Sequence, residues 1–210
     1  MFGRGMGGRY GAGGGRRRGA RGTNPFILLM AARLVQQIMQ LPWKPPVTLA
    51  LMGLNTAVYF GVVNMPMLSG PAGAVCLQPA SILYNGEWSR AIGSAFVHGS
   101  DMHLYFNMAS LLWKGVQLEA AFTSGGFALL TAAMLLVSNA IYVGGAWLLA
   151  ANGYDGLLVS CAIGFSGVLF ALKTILNVMA PHESYILGFR IQSRWAAWAE
   201  LVLISLMVPN

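Results

Sequence analysis

The chain has 210 residues, 56% of them hydrophobic and only 9% charged, with a mean hydropathy of +0.61. A soluble domain carries about 25% charged residues, so this composition excludes an ordinary water-soluble fold and points to a membrane protein. The net charge of +7 is lopsided: eight of the thirteen basic residues, Arg4 through Lys44, precede the first long apolar run with no acidic residue among them, which describes a basic tail and not a basic domain.

Residues 1–24 are Gly/Arg-rich and offer nothing to bury, so they read as a disordered tail. A cytosolic basic flank that sets topology and touches anionic lipid is the favoured role. An RNA-binding arginine-glycine tail and a cleaved transit peptide are the alternatives, and nucleic acid is not an expected partner. Residues 25–45 read as an amphipathic helix and a Pro-rich linker. Arg33, Gln36, Gln37 and Gln40 form one polar stripe on an otherwise apolar helix, which suits an interfacial position better than a span.

The membrane domain is expected over residues 46–210. Residues 47–64 are uncharged and about long enough to cross a bilayer. A long loop with apolar and aromatic residues follows to residue 100. Loops of that size are usually functional or disordered, and this one reads as ordered. The second span covers residues 101–120, with Asp101 as its N-cap, and the third covers 126–151. After a turn, the fourth runs from Ala162 to Ala180, ended by Pro181. A polar connector at 181–194 leads to a fifth span from residue 195. Lys114 and Lys173 sit within spans, and snorkelling toward the cytosolic face accounts for both.

The basic tail places the N-terminus in the cytosol. Spans two and four then both start on the opposite side, which brings His103 and Ser166 to one depth. Cys76 and Cys161 also fall in loops on that side. Two cysteines make neither a disulfide framework nor a zinc site. Two free buried thiols are the expectation, with a single bridge as the alternative.

Ser166 lies in Gly164-Phe165-Ser166-Gly167, where a backbone can approach closely. A serine nucleophile needs an oxyanion site and a general base. His103 and Asn107 share a helix face at i, i+4, and their side chains and the Ser166 N–H could donate to an oxyanion. Intramembrane polar groups default to functional candidates, although these two could equally tie one helix to another.

Together, Gly164-Phe165-Ser166-Gly167, the run HLYFNMASLLWKGVQLE from His103, Glu87-Trp88-Ser89-Arg90 and Pro46-Val47-Thr48 resemble the rhomboid family of intramembrane serine proteases. They are most similar to its endoplasmic-reticulum rhomboid-domain-containing branch. The resemblance covers roughly residues 25–210. It implies an all-α polytopic bundle of six helices, five of them present here, around a water-filled cavity. It implies Ser166 as the nucleophile, with His103, Asn107, Gly164 and backbone N–H groups at the oxyanion site. His98 takes a supporting place nearby. Trp88 and Arg90 anchor the first loop at the interface, and Glu119 is a structural hydrogen-bonding residue. Transmembrane proteins are the implied substrates and the bilayer the surroundings, with no cofactor and no metal.

The family's general base is a histidine on the sixth helix. Here His98 and His103 match other positions, and His182 would sit about 24 Å below Ser166 along a helix. No general base is therefore expected in this chain, and activity as written is doubtful. A chain cut before the sixth helix is the favoured explanation, and a non-catalytic binder of membrane proteins is the alternative. A small transporter or channel is the weakest reading.

Overall fold

The computed structural model describes residues 25–63, 67–68, 72–179, 183–186 and 189–192, with Trp195 and Trp198. The tail at 1–24, His182 and most of the expected fifth span lie outside the described residues.

Helix α1 (Pro25–Gln40) exposes Arg33, Gln36, Gln37 and Gln40 and packs Leu34 and Ile38 against the core. The Lys44 ammonium donates to the carbonyls of Ile38, Met39 and Leu41 at 2.7, 2.9 and 2.7 Å, filling acceptors that a helix end leaves open.

Helix α2 (Pro46–Tyr59) opens on a residue with no N–H to satisfy. The next donors all find partners. Val47 and Thr48 donate their N–H groups to the Glu119 carboxylate at 2.9 and 2.8 Å, the Thr48 hydroxyl donates to it at 2.7 Å, and Leu49 N–H bonds the Pro45 carbonyl at 3.0 Å. Bonds to a charged acceptor are worth roughly 1.5–3 kcal/mol each, and this one also faces the positive end of a helix. Glu119 is 1% exposed, so these bonds are shielded from water. The helix stops before the expected residue 64 because the chain turns at Gly61, with φ 73°.

The long loop is ordered where described, as helices α3 (Ala72–Val75), α4 (Pro79–Asn85) and α5 (Arg90–Gly93) and a 3-10 turn at Ser94–Phe96. Helix α6 (Asp101–Ala151) follows. Its N-cap is Ser100 and not Asp101: the Ser100 side chain accepts from His103 N–H at 3.2 Å. Asp101 instead accepts from the Tyr59 hydroxyl. The helix is interrupted at Thr123, with φ 64° and ψ 164°. That break divides it into segments of about 33 and 42 Å, each able to cross a hydrocarbon core of about 30 Å. They cover the residues expected as the second and third spans. Helix α6 is also the one helix among the described residues long and apolar enough to cross a membrane. Its outer surface carries Phe106, Trp113, Leu129, Ile141 and Trp147, large apolar groups that suit lipid better than water.

Side-chain pairs fix the helix directions. Thr48 meets Glu119 and Tyr59 meets Asp101, so α2 runs opposite to the first half of α6. The Asn139 amide donates to the Ala91 carbonyl at 2.6 Å, so the second half of α6 climbs back to the loop. Helix α7 (Ser166–Met179) descends again. Leu111, Leu118, Phe127 and Leu172, at 0% exposure, fill the space between. Strands β1 (Glu183–Ile186) and β2 (Phe189–Gln192) pair antiparallel, Glu183 opposite Gln192, where the sequence suggested only a polar connector.

Snorkelling does not describe Lys114. It is 3% exposed, inside the protein, and its ammonium donates to the Ser110 hydroxyl one turn back. Lys173 places its ammonium 5.4 Å from the centre of the Trp113 ring, a cation–π distance.

Gly115 tests the α2–α6 contact. A Cβ there would lie 2.4 Å from Thr48 Oγ1 and 2.6 Å from Thr48 Cγ2. Gly115→Ala is expected to destabilise the fold by about 1–3 kcal/mol, read as a lower thermal unfolding midpoint in detergent. Thr48→Ser, which removes the Cγ2 and keeps the hydroxyl on Glu119, should recover part of that loss.

Candidate active site

The segment before Ser166 does not continue the helix backward to Ala162, as expected from its apolar character. Ala162 is extended, paired with Leu77 in an antiparallel bridge, and Gly164 has φ +106°, a value L side chains rarely adopt. Helix α7 therefore starts at Ser166. Its first N–H groups have no carbonyl one turn back inside the helix to accept them.

Gly164 is also where the two parts of the site touch. A Cβ on it would lie 2.6 Å from Cε1 and 2.7 Å from Nε2 of His103, so the imidazole rests on bare backbone. Two Cα steps of about 3.8 Å keep Ser166 within about 7.6 Å of that contact, Cα to Cα. Asn107 is buried one turn below His103, and its Nδ2 donates to the His103 carbonyl at 2.8 Å. One amide hydrogen remains for another acceptor. Its Oδ1 has no hydrogen-bond partner.

His98 packs edge-on to His103, ring centres 4.9 Å apart. It is 4% exposed, with Nδ1 3.3 Å from the Phe96 carbonyl and Nε2 unpartnered. Its pKa is lowered from 6.5 to about 4, first by burial and second by the neighbouring His103, against the opposing pull of the Phe96 carbonyl. His98 is thus neutral at physiological pH.

Arg90 is turned into the loop. It pairs with Glu87 and donates through Nη1 to the Gly73 and Cys76 carbonyls, both at 3.0 Å. Trp88 is 67% exposed and is the outward member of the pair. The structure thus brings His98, His103, Asn107, Gly164 and Ser166 to one end of the bundle and sets Trp88 and Arg90 apart in the loop.

The expectation of two free thiols is corrected: Cys76 and Cys161 form a disulfide. The two loops that the crossing count assigns to one side meet there, a contact the count allowed and the number of cysteines gave no reason to prefer. Ser94 was missed altogether. It is 2% exposed, and its carbonyl accepts the Gly164 N–H at 2.9 Å. Because it acts through its backbone, no side-chain pattern could have marked it. Phe96 and Phe165 pack beside this bond, ring centres 5.8 Å apart. Among the described residues no group of His, Cys, Asp and Glu side chains could hold a metal ion.

Residues 85–210 match the family described as Rhomboid domain. The chain is similar to "Rhomboid-like protein 14, mitochondrial" of Arabidopsis thaliana, 38% identical over 91% of this chain and 58% of that one. It is similar to "Rhomboid-related protein 4" of Mus musculus, 37% identical over 92% of this chain and 59% of the relative. The Homo sapiens protein of the same name is 36% identical over the same shares. The chain spans about three-fifths of the length of these relatives. No solved structure matches it.

Two outcomes follow from the geometry. Gly164→Ala would strain the backbone and drive a methyl into His103. The expected result is disordering of residues 162–166, detected as faster amide exchange there. For His98 the folded pKa of about 4 lies below the ordinary 6.5, so the unfolded chain binds the proton first. Stability should be complete above pH 6.5 and fall by up to about 3 kcal/mol as pH drops toward 4. Thermal unfolding at pH 7.5 and 4.5 measures this, and His98→Gln should flatten the difference.

Proposed function

Because the chain belongs to the rhomboid family, we propose that it is the membrane core of an intramembrane serine endopeptidase that cleaves transmembrane-protein substrates. The observation that carries this reading is the packing of the His103 ring on Gly164, two residues before a serine that begins a helix. Ser166 Oγ would attack the scissile carbonyl. The negative charge that develops on the carbonyl oxygen would be met by the Ser166 N–H, at the positive end of α7, and by donors from His103 and Asn107. Each such donor is worth on the order of a hundredfold or more in turnover. Burial and the edge-on ring contact suit His98 to holding His103 in place. Neither histidine is given the base's role, which in this family belongs to a sixth-helix histidine. A protonated serine without a base is a weak nucleophile.

The compartment is also proposed: a multi-pass protein of the endoplasmic reticulum with a cytosolic N-terminus. The basic residues before the first span support that orientation, and a disulfide beside Ser166 supports an oxidising space on the site's side. The word "mitochondrial" in one relative's name makes a mitochondrial address the competing result in a localisation experiment with organelle markers. The alternative function, a non-catalytic binder of membrane proteins, is favoured only by the engagement of both described histidines with each other.

The deciding experiment extends this chain through a sixth helix carrying the family histidine and supplies a single-pass substrate. Cleavage is expected, and Ser166→Ala should abolish it. Cleavage that survives that substitution rejects the assignment. If Ser166→Ala leaves client binding and turnover unaltered while no fluorophosphonate attaches to Ser166, the binder reading replaces it.

A further inference from the structure

The proposed chemistry leaves the Cys76–Cys161 disulfide without a role. The bond joins residues 85 apart in sequence, one just before α4 and the other five positions before Ser166. Beside it Leu77 and Ala162 exchange two backbone hydrogen bonds, at 2.8 and 3.1 Å. Gln78 Nε2 reaches the Val159 carbonyl at 3.1 Å, and Ser94 holds the Gly164 N–H. The strip leading to Ser166 is thus laid along the first loop, and the disulfide is its covalent fastening.

The two sulfurs differ in setting. Cys76 is 1% exposed, and Arg90 Nη1 holds its carbonyl at 3.0 Å. Cys161 is exposed. One end is anchored and the other can be reached.

We propose that this disulfide is a reducible clamp that positions the Gly164–Ser166 segment, so that a dithiol reductant on that side of the membrane loosens the site. Its effect on turnover rests on the endopeptidase reading; its effect on the order of the strip does not. A reductant thiolate attacks the sulfur of Cys161, the exposed residue of the pair. The Cys161–Cys76 bond breaks, and Cys76 leaves as a thiolate and takes up a proton. The reductant's second thiol attacks the mixed disulfide, frees Cys161 as a thiolate that is then protonated, and closes the reductant's own disulfide. Two electrons pass from the dithiol to the protein. Both cysteines are positioning residues that act through the backbone before Ser166.

The test uses the full chain in detergent with dithiothreitol. Denatured without reductant, neither cysteine should take up a maleimide; after reduction both should. Labelling of both cysteines without reductant overturns the proposal. Amide exchange in residues 159–166 should quicken on the order of tenfold or more on reduction, with the amides of α2 and the first half of α6 unchanged. Acceleration everywhere, or nowhere, overturns the clamp. In the chain extended through a sixth helix, reduction should lower kcat by roughly tenfold to a hundredfold, the scale of a small misplacement of reacting atoms, with KM within about twofold. The Cys76→Ser/Cys161→Ser double variant should match the reduced protein and ignore dithiothreitol. Full reduction with no loss of kcat overturns the clamp. Absence of any cleavage before reduction counts against the endopeptidase reading instead, and the exchange result then decides the clamp alone.

Discussion

The resting of the His103 ring on Gly164 is the contact from which the geometry of the site follows. The imidazole occupies space that any side chain at position 164 would need. Its neighbour Ser94 takes the Gly164 N–H into the loop, so that amide cannot serve the helix. With φ at +106° the chain cannot already be helical at this residue. Helix α7 is therefore obliged to begin after it, at Ser166. Had the apolar run simply continued as helix from Ala162, the Ser166 N–H would bond the Ala162 carbonyl and be lost as an oxyanion donor. The Ala162 carbonyl instead accepts from Leu77. The contact between α6 and the strip before α7 thus keeps the Ser166 N–H out of an intrahelical bond to Ala162.

At the other end of the bundle the constraint is electrostatic. Apolar surfaces pack without strong direction, so α2 could slide along α6 at little cost if only leucines met. The Glu119 carboxylate removes that freedom, because three donors from consecutive residues Val47 and Thr48 converge on it. Moving by one residue would leave a buried charge short of partners, a penalty of several kcal/mol. Gly115 reinforces the same register by admitting Thr48 to bare backbone. One end is set by charge and the other by bare glycine, with packed leucines between them.

The sequence made much of this legible. Runs of apolar residues reported the helices, the number of crossings reported which ends meet, and Gly-x-Ser-Gly with His103 and Asn107 marked residues that the structure gathers at one end of the bundle. What it hid depends on choices between near-equal options. Ser100 and Asp101 are both good caps, and the Tyr59 hydroxyl on Asp101 comes from a residue far away in sequence. Lys114 reads as a lysine that reaches for water, because its burial depends on neighbours that no local pattern shows. The start of α7 depends on a backbone bond to Ser94, and backbone groups carry no residue signature. The paired strands at 183–186 and 189–192 are short, and their alternation is too brief to separate from a polar loop.

The magnitude of ordering explains why a covalent tie sits where it does. Residues 159–165 form no helix turn or extended ladder beyond the Leu77–Ala162 bridge. Fixing each backbone costs about 1–2 kcal/mol, on the order of 10 kcal/mol for the strip. The bridge bonds and the Ser94 bond contribute about 1 kcal/mol each, and burying Phe165, at 0% exposure, contributes about 2–3 kcal/mol. The bonds from Gln78 to Val159, from Ser160 to Leu157 and between Tyr142 and Ser160 add further contributions of similar size. A disulfide closing a loop of this length contributes about 4–5 kcal/mol in the chain-entropy account, counted against the unfolded chain as a whole, and it is the one tie on the strip that needs neither a hydrogen bond nor burial. The strip before Ser166 is thus held by many weak ties and one covalent one, and the covalent tie is the one that reduction removes.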